Sequence, residues 1–287
     1  MKKNIIFILA SVILLIASGC ENLNNPGEIK IKNSLFFNLQ ANSSRQQVFI
    51  YKNPDLSGRT EYDAADPFIN FFNKDAVVTL KDMLSAESTG FTLTEDTLDF
   101  SHYISYYNNS GRTSPTPYKP YYTNSAAFEV KPLTDYYLSV NADGNIITGQ
   151  VTTPGDFEIT SPGNAEEKRG LQNLRSTTIT WNQSKNAAGY IVNIICLMRF
   201  YDFQDSTWRV ENSNVRSRFW ATTSCRVGDF LSPYSDVQSG PVLIRVEAYD
   251  NNYVEHYQNK NESVGLNNAY GCFSSSLMKE VRIYFDK

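Results

Sequence analysis

Apolar side chains recur at every second position along much of this chain, a period that belongs to half-buried β-strands. Thr177, Ile179 and Trp181 fall on one face of a short strand. Tyr190, Val192, Ile194, Cys196 and Met198 fall on one face of the next. Val242, Ile244, Val246 and Ala248 point one way while Arg245 and Glu247 point the other, and Val281, Ile283 and Phe285 complete the set. Earlier in the chain, Ala76, Val78 and Leu80 alternate with Val77, Thr79 and Lys81, and Tyr136, Leu138 and Val140 alternate with Tyr137 and Ser139. Asp143-Gly144 then predicts a tight hairpin, because Gly accepts positive φ, with Ile146 to Thr153 as the returning strand. No long stretch carries a helical apolar period, and Val227 to Tyr234 is expected to make one or two helical turns at most. Thr153-Pro154-Gly155 punctuates the pattern, since Pro cannot donate to a ladder and Gly frees the chain. The expectation is an all-β protein of two tandem β-sandwich domains, residues 29–153 and 154–287, each burying its apolar faces between sheets.

The N-terminus follows another pattern. Lys2 and Lys3 precede an apolar run from Ile5 to Ile16 that is too short to span a bilayer, and small residues lead to Cys20. Ile16-Ala17-Ser18-Gly19-Cys20 resembles the lipobox of bacterial lipoproteins. The resemblance implies that residues 1–19 are a signal peptide removed before Cys20. It also implies that Cys20 is lipidated, palmitate-type acyl chains being added to its thiol and its new amine. Residues 20–28, which include the polar run Glu21 to Gly27, read as a tether between lipid and fold. More than one acyl chain gives stable attachment, at roughly 0.8 kcal/mol per buried methylene. The expected address is the cell envelope. Glu21 is not the Asp that retains some lipoproteins at the inner membrane, so the outer membrane is preferred, on its periplasmic side or at the cell surface.

Ile179-Thr180-Trp181, Ala188-Gly189-Tyr190-Ile191-Val192 and Ile244-Arg245-Val246-Glu247-Ala248 resemble strands B, C and F of a fibronectin type III domain. Val242 occupies the place of the usual strand-F tyrosine, and the F–G connection, Asn251 to Ser276, is unusually long. The whole chain resembles uncharacterised lipoproteins of Bacteroidota-type bacteria. These join an N-terminal Ig-like or transthyretin-like domain to a fibronectin-III-like one. The matching pieces are residues 73–80 (Asn73 to Leu80), Tyr137-Leu138-Ser139-Val140, Val151-Thr152-Thr153-Pro154 and Tyr270-Gly271-Cys272-Phe273. No activity comes with that resemblance.

Composition narrows the chemistry. Net charge is −4 and no basic stripe is present, so nucleic acid is not an expected partner. The sequence lacks a Gly-x-Ser-x-Gly elbow, a His-Glu-x-x-His motif and a phosphate-binding glycine loop. Only two histidines, His102 and His256, are available for acid–base work, and both read as strand or surface residues. The expectation is a protein that is not an enzyme, holds no metal and needs no cofactor. Asp250, Asn251, Asn252 and Glu255 cluster oxygens, but without EF-hand spacing they read as a polar loop. Cys196 shares the inward face of Tyr190 and Ile194 and is expected to be a buried, reduced thiol. Cys225 near a strand end and Cys272 in the long connection form the candidate disulfide.

Aromatic side chains, 13% of residues, supply the remaining candidates. One tyrosine-rich stretch contains Tyr106, Tyr107, Tyr121 and Tyr122. A second contains Tyr253 and Tyr257, with Trp208 and Trp220 upstream. Exposed aromatics of this kind suit protein hot spots or sugar rings. The expected function is a binding or scaffold module for an envelope protein. The alternative is a glycan-binding accessory lipoprotein of an outer-membrane uptake system, and a hydrolase is third. A glycan binder should present coplanar, exposed aromatics beside amides or carboxylates.

Overall fold

A computed structural model describes residues 33–52, 72–94, 121–124, 128–163, 173–202, 206–258 and 263–287. Residues 1–28, with Cys20, lie outside these, as do Tyr106, Tyr107 and His102. The described residues are all-β apart from one α-helix and two short 3-10 turns. Among the described residues seven strands precede Pro154: β1 (Ser34–Ala41), β2 (Gln47–Tyr51), β3 (Val77–Asp82), β4 (Ser88–Thr94), β5 (Tyr121–Asn124), β6 (Asp135–Ala142) and β7 (Asn145–Thr152). After it come β8 (Ile159–Ser161), β9 (Thr178–Trp181), β10 (Gly189–Asp202), β11 (Thr207–Arg216), β12 (Ser224–Arg226), β13 (Asp236–Val237) and β14 (Gly240–Tyr249). Helix α1 (Asn251–Gln258) leads to β15 (Ser263–Val264), β16 (Leu266–Asn267) and the long β17 (Tyr270–Phe285).

Most strands belong to one sheet, in the order β11-β10-β14-β17-β1-β2-β5-β4-β3-β6-β7-β16, which is not closed into a barrel. β8, β9 and β12 form a separate three-stranded sheet. The alternation read from the sequence is the burial pattern of β3, β6 and β14, whereas β10 is buried on both faces from Gly189 to Ile194. Tyr190, Val192, Ile194 and Cys196 are buried on β10, and Val242, Ile244, Val246 and Ala248 on β14. Trp181 on β9 is buried and meets Tyr190 edge-on at 5.3 Å, so the small sheet packs over the inner face of the large one. Before Pro154 the sheet curls over its own core. β1 and β4 are three strands apart, about 14 Å on a flat sheet, yet the Phe37 and Phe91 rings lie 5.7 Å apart. The β6–β7 hairpin turns at Asp143 and Gly144, both at positive φ, as its Asp-Gly pair requires.

β17 joins the two regions. Its second half pairs antiparallel with β14, from Ser276 opposite Tyr249 to Phe285 opposite Gly240. Its first half pairs in parallel with β1, from Tyr270 opposite Ser34 to Leu277 opposite Ala41. Phe273 stacks on Phe37 at 5.2 Å, inside one continuous core that draws on both sides of Pro154. Gly271 sits at φ 107, and a Cβ there would lie 2.1 Å from the Leu35 carbonyl oxygen, so β1 reaches β17 only because residue 271 has no side chain. Thr153 is buried, its hydroxyl donates to the Lys131 carbonyl at 2.7 Å, and Gly155 N–H donates to Lys185 O at 2.7 Å. The segment about Pro154 is therefore pinned at both ends.

Two expectations change. Residues 251–258, read as loop, form α1, because buried Asp250 caps the helix and accepts from the Tyr253 N–H at 2.9 Å. The last strand begins at Tyr270 rather than near Val281: Ser274, Ser275 and Ser276 are buried there, and neither face of that half is polar enough to show a period of two. Val227 to Tyr234 contains one 3-10 turn, Val227–Asp229, within the one or two helical turns expected.

Candidate binding surface

Burial separates the candidate aromatics. Tyr121 and Tyr122 on β5 are both buried. The Tyr121 hydroxyl accepts from Arg45 at 2.8 Å. The Tyr122 hydroxyl donates to Asn73 O at 2.8 Å and accepts from Ala76 N–H at 2.9 Å. Their expected role as binding aromatics is corrected: they pin neighbouring segments and fill the core. Tyr106 and Tyr107 lie outside the described residues.

Tyr253 and Tyr257 belong to a cluster on the outer face of the large sheet. Tyr253 is buried against Tyr249, the rings stacked at 3.8 Å, and Tyr257 continues the stack toward Phe219. Polar groups beneath are paired with one another. The Tyr249 hydroxyl donates to Glu247, Asn193 donates to the other Glu247 oxygen at 3.0 Å, and Arg216 donates to the Tyr253 hydroxyl at 3.1 Å. Burial, then the Glu247 charge, holds the Tyr249 phenol protonated well above the ordinary tyrosine range. Burial works against the Arg216 charge, but Tyr249, Tyr253 and Glu247 outweigh it. The cluster ties α1 to the sheet and leaves only Tyr257 substantially exposed.

Asp250 shows why the oxygens beside it do not converge on a cation. Its carboxylate turns inward, accepting from Ser275 N–H and the Ser275 hydroxyl, each at 2.8 Å, as well as from Tyr253. Burial pushes this carboxyl up to about 7, against hydrogen bonds that favour its ionised form. Asn252 donates to Phe273 O at 2.9 Å instead of facing Asp250. Among the described residues no group of three or more His, Cys, Asp or Glu side chains could hold a metal ion.

The expected Cys225–Cys272 disulfide is also corrected. Cys196, Cys225 and Cys272 are all buried and each carries a thiol. Cys225 is on β12 of the small sheet, whereas Cys272 is on β17, its Sγ 3.6 Å from the Asn252 carbonyl. The pairing rested on Cys272 being in a loop, and a strand position in the core cannot travel. Burial pushes the Cys196 thiol up to about 11; burial with nearby Asp229 pushes Cys225 up to about 12. Both are therefore poor nucleophiles.

Exposed aromatics gather elsewhere. β14 covers β10 only as far as Ile195, β13 pairs with it at Met198 and Arg199, and beyond that β10 and β11 run on as a two-stranded ribbon. Tyr201 and Trp208 sit directly opposite each other there, 5.3 Å apart with planes at 66°. Arg199 lies over the Trp208 ring at 4.4 Å and 3.7 Å from Asp236. Trp208 is 59% exposed, Val210 is exposed on the same face, and Phe200 is exposed on the other. Trp208 stood out in the sequence by type, but Tyr201 and Arg199 did not. Their signal is parity: both fall on the face of β10 opposite Cys196 and Met198.

The fold defines an all-β, sandwich-like protein. No family model matches the chain, and a search of the curated proteins finds no match. Among the described residues, no helix is long and apolar enough to cross a membrane.

Proposed function

We propose that this chain is a non-catalytic lipoprotein of the bacterial cell envelope that holds a protein partner on its β10–β11 ribbon. It is anchored through Cys20, with an Ig-like domain over residues 29–153 and a fibronectin-III-like domain over 154–287. The observation that carries the reading is the exposed Tyr201–Trp208 pair with Arg199 beside it. Trp, Tyr and Arg are the residues that dominate protein hot spots, and a hydrogen-bonded ladder that already fixes their backbone lowers the entropic cost of presenting them. The lipobox-like segment ending at Cys20 supports the envelope address.

Asn212 and Asn214 share a face of β11 with Trp208, and this favours the glycan-binding alternative. A sugar platform needs coplanar rings, however. Here the planes are steeply crossed and Arg199 occupies one face of Trp208, which supports a protein partner instead.

The test is capture from detergent-solubilised envelope with the lipidated chain as bait. A protein held by the unsubstituted chain and lost with both Trp208→Ala and Tyr201→Ala is the expected result. Equal capture by all three baits, or release by soluble glycan, sinks the reading. Cys20→Ser should move the protein out of the membrane fraction and abolish fatty-acid labelling, and retention of both would end the anchor claim.

A further inference from the structure

β11 ends the path of the large sheet, and among the described residues no strand pairs with its outer edge. Such an edge offers a row of backbone donors and acceptors. Proteins usually blunt it with Pro, Lys, a bulge or a very short strand. β11 is long and regular: Thr207–Arg216 contains no Pro or Lys, pairs with β10 through ten consecutive positions without a register shift, and carries charge only at Arg209, Glu211 and Arg216. Its side chains from Thr207 to Asn212 are exposed, with Val210 at 51%.

We propose that this edge docks a second copy of the same chain, the two β11 strands pairing antiparallel about Val210. In an antiparallel ladder, hydrogen-bonded and non-hydrogen-bonded pairs alternate, and outward-pointing backbone groups on one strand must meet outward-pointing groups on the other. A two-fold axis through identical edges must therefore fall on a residue, not between two. Centring on Arg209 sets Arg against Arg, and centring on Glu211 sets Glu against Glu. Centring on Val210 sets Arg209 opposite Glu211 twice, Val210 opposite its own copy, and Trp208 opposite Asn212. No other centre within β11 brings opposite charges face to face. Cross-strand pairs of opposite charge stabilise a ladder, and like charges directly opposite destabilise it. Arg209 already lies 3.3 Å from Asp202, so its guanidinium would meet a carboxylate on either side, which its five donors allow. The contact is isologous and closes as a dimer. It leaves the Tyr201 and Trp208 face open and does not depend on what that face binds.

The experiment is disulfide trapping of the full-length chain in isolated membranes. Val210→Cys should cross-link to its copy on mild oxidation, well above the unsubstituted chain, whose Cys196, Cys225 and Cys272 are buried. Asn212→Cys should not, because the two Asn212 positions would be offset by four residues, about 13 Å. In the Val210→Cys background, Arg209→Glu or Glu211→Arg alone should slow trapping by about tenfold. The double exchange, Arg209→Glu with Glu211→Arg, should restore it. That rescue also separates pairing from misfolding. Absence of trapping at Val210→Cys, equal trapping at Asn212→Cys, or a double exchange as slow as either single one would overturn the proposal.

Discussion

β11 and the first half of β17 are both extended strands, yet their surroundings are opposite. From Gly271 to Leu277 every residue of β17 is buried, with β1 on one edge and β14 beginning on the other by Ser276. From Thr207 to Asn212 every residue of β11 is exposed, with β10 on one edge and no strand on the other among the described residues. Local sequence does not separate them in the obvious direction. The buried segment holds three serines, and the exposed one holds Trp208 and Val210. What differs is the company. The serines of β17 find partners in Asn38, Asp250 and the Thr152 carbonyl. The aromatic of β11 meets Tyr201 and Arg199 and stays largely in solvent. Polarity is tolerated wherever hydrogen bonds are completed, and apolar surface is left open where another molecule can use it.

The contrast can be broken most sharply at Gly271. Gly271→Val adds strain at a positive φ and drives a side chain into the Leu35 carbonyl, so a loss of about 3–6 kcal/mol is expected in urea unfolding. A variant as stable as the parent would mean that β1 and β17 do not approach in this way. Next is Phe273→Ala, which removes a buried ring stacked on Phe37 and should cost about 3–5 kcal/mol. The matching change on β11, Trp208→Ala, should alter stability by no more than about 0.5 kcal/mol. Similar melting temperatures for the two variants would erase the comparison.

A third prediction uses pH. The Asp250 carboxyl, which clamps α1 to β17, is pushed up to about 7 by burial, against 3.8 when unfolded. Between those values the folded state keeps a proton that the unfolded state has lost. Stability should therefore be greatest at the acid end and fall as pH rises from about 4 to 7, then level off. At 1.36 kcal/mol per unit the fall is at most about 4 kcal/mol. Asp250→Asn should flatten that slope while lowering stability overall, since its amide would meet the Ser275 N–H with a donor. A slope unchanged by the substitution would show that Asp250 is ionised throughout. The smallest effect is expected at Val210, where Val210→Ala should leave urea unfolding within about 0.5 kcal/mol of the parent.

Much of the fold was legible because one period dominates. Val242 to Ala248 alternate cleanly and are buried as that alternation requires; Trp181 and the Tyr190, Val192, Ile194 and Cys196 face are buried as expected, although Ile191 and Asn193 on the opposite face of β10 are buried too. The Asp143-Gly144 hairpin was legible because its backbone needs positive φ at both positions. α1 was not, since its eight residues are mostly polar and its cap, Asp250, looks like a loop residue until Ser275 is beside it. The candidate surface was half legible. Residue type marked Trp208, but it equally marked Tyr121 and Tyr122, which are buried.

By itself the sequence determined the all-β character, the inward faces of most strands after residue 177, and the inertness of Cys196. These follow from period, propensity and side-chain chemistry, which act over a few neighbouring residues. Only the tertiary structure decided that β17 would lie beside β1, that Cys272 would be in the core away from Cys225, and that Trp208 rather than Tyr121 would meet solvent. Strand order, edge and exposure depend on contacts between residues more than a hundred positions apart, Ser276 with Asn38 among them, and no local pattern encodes which distant strand arrives.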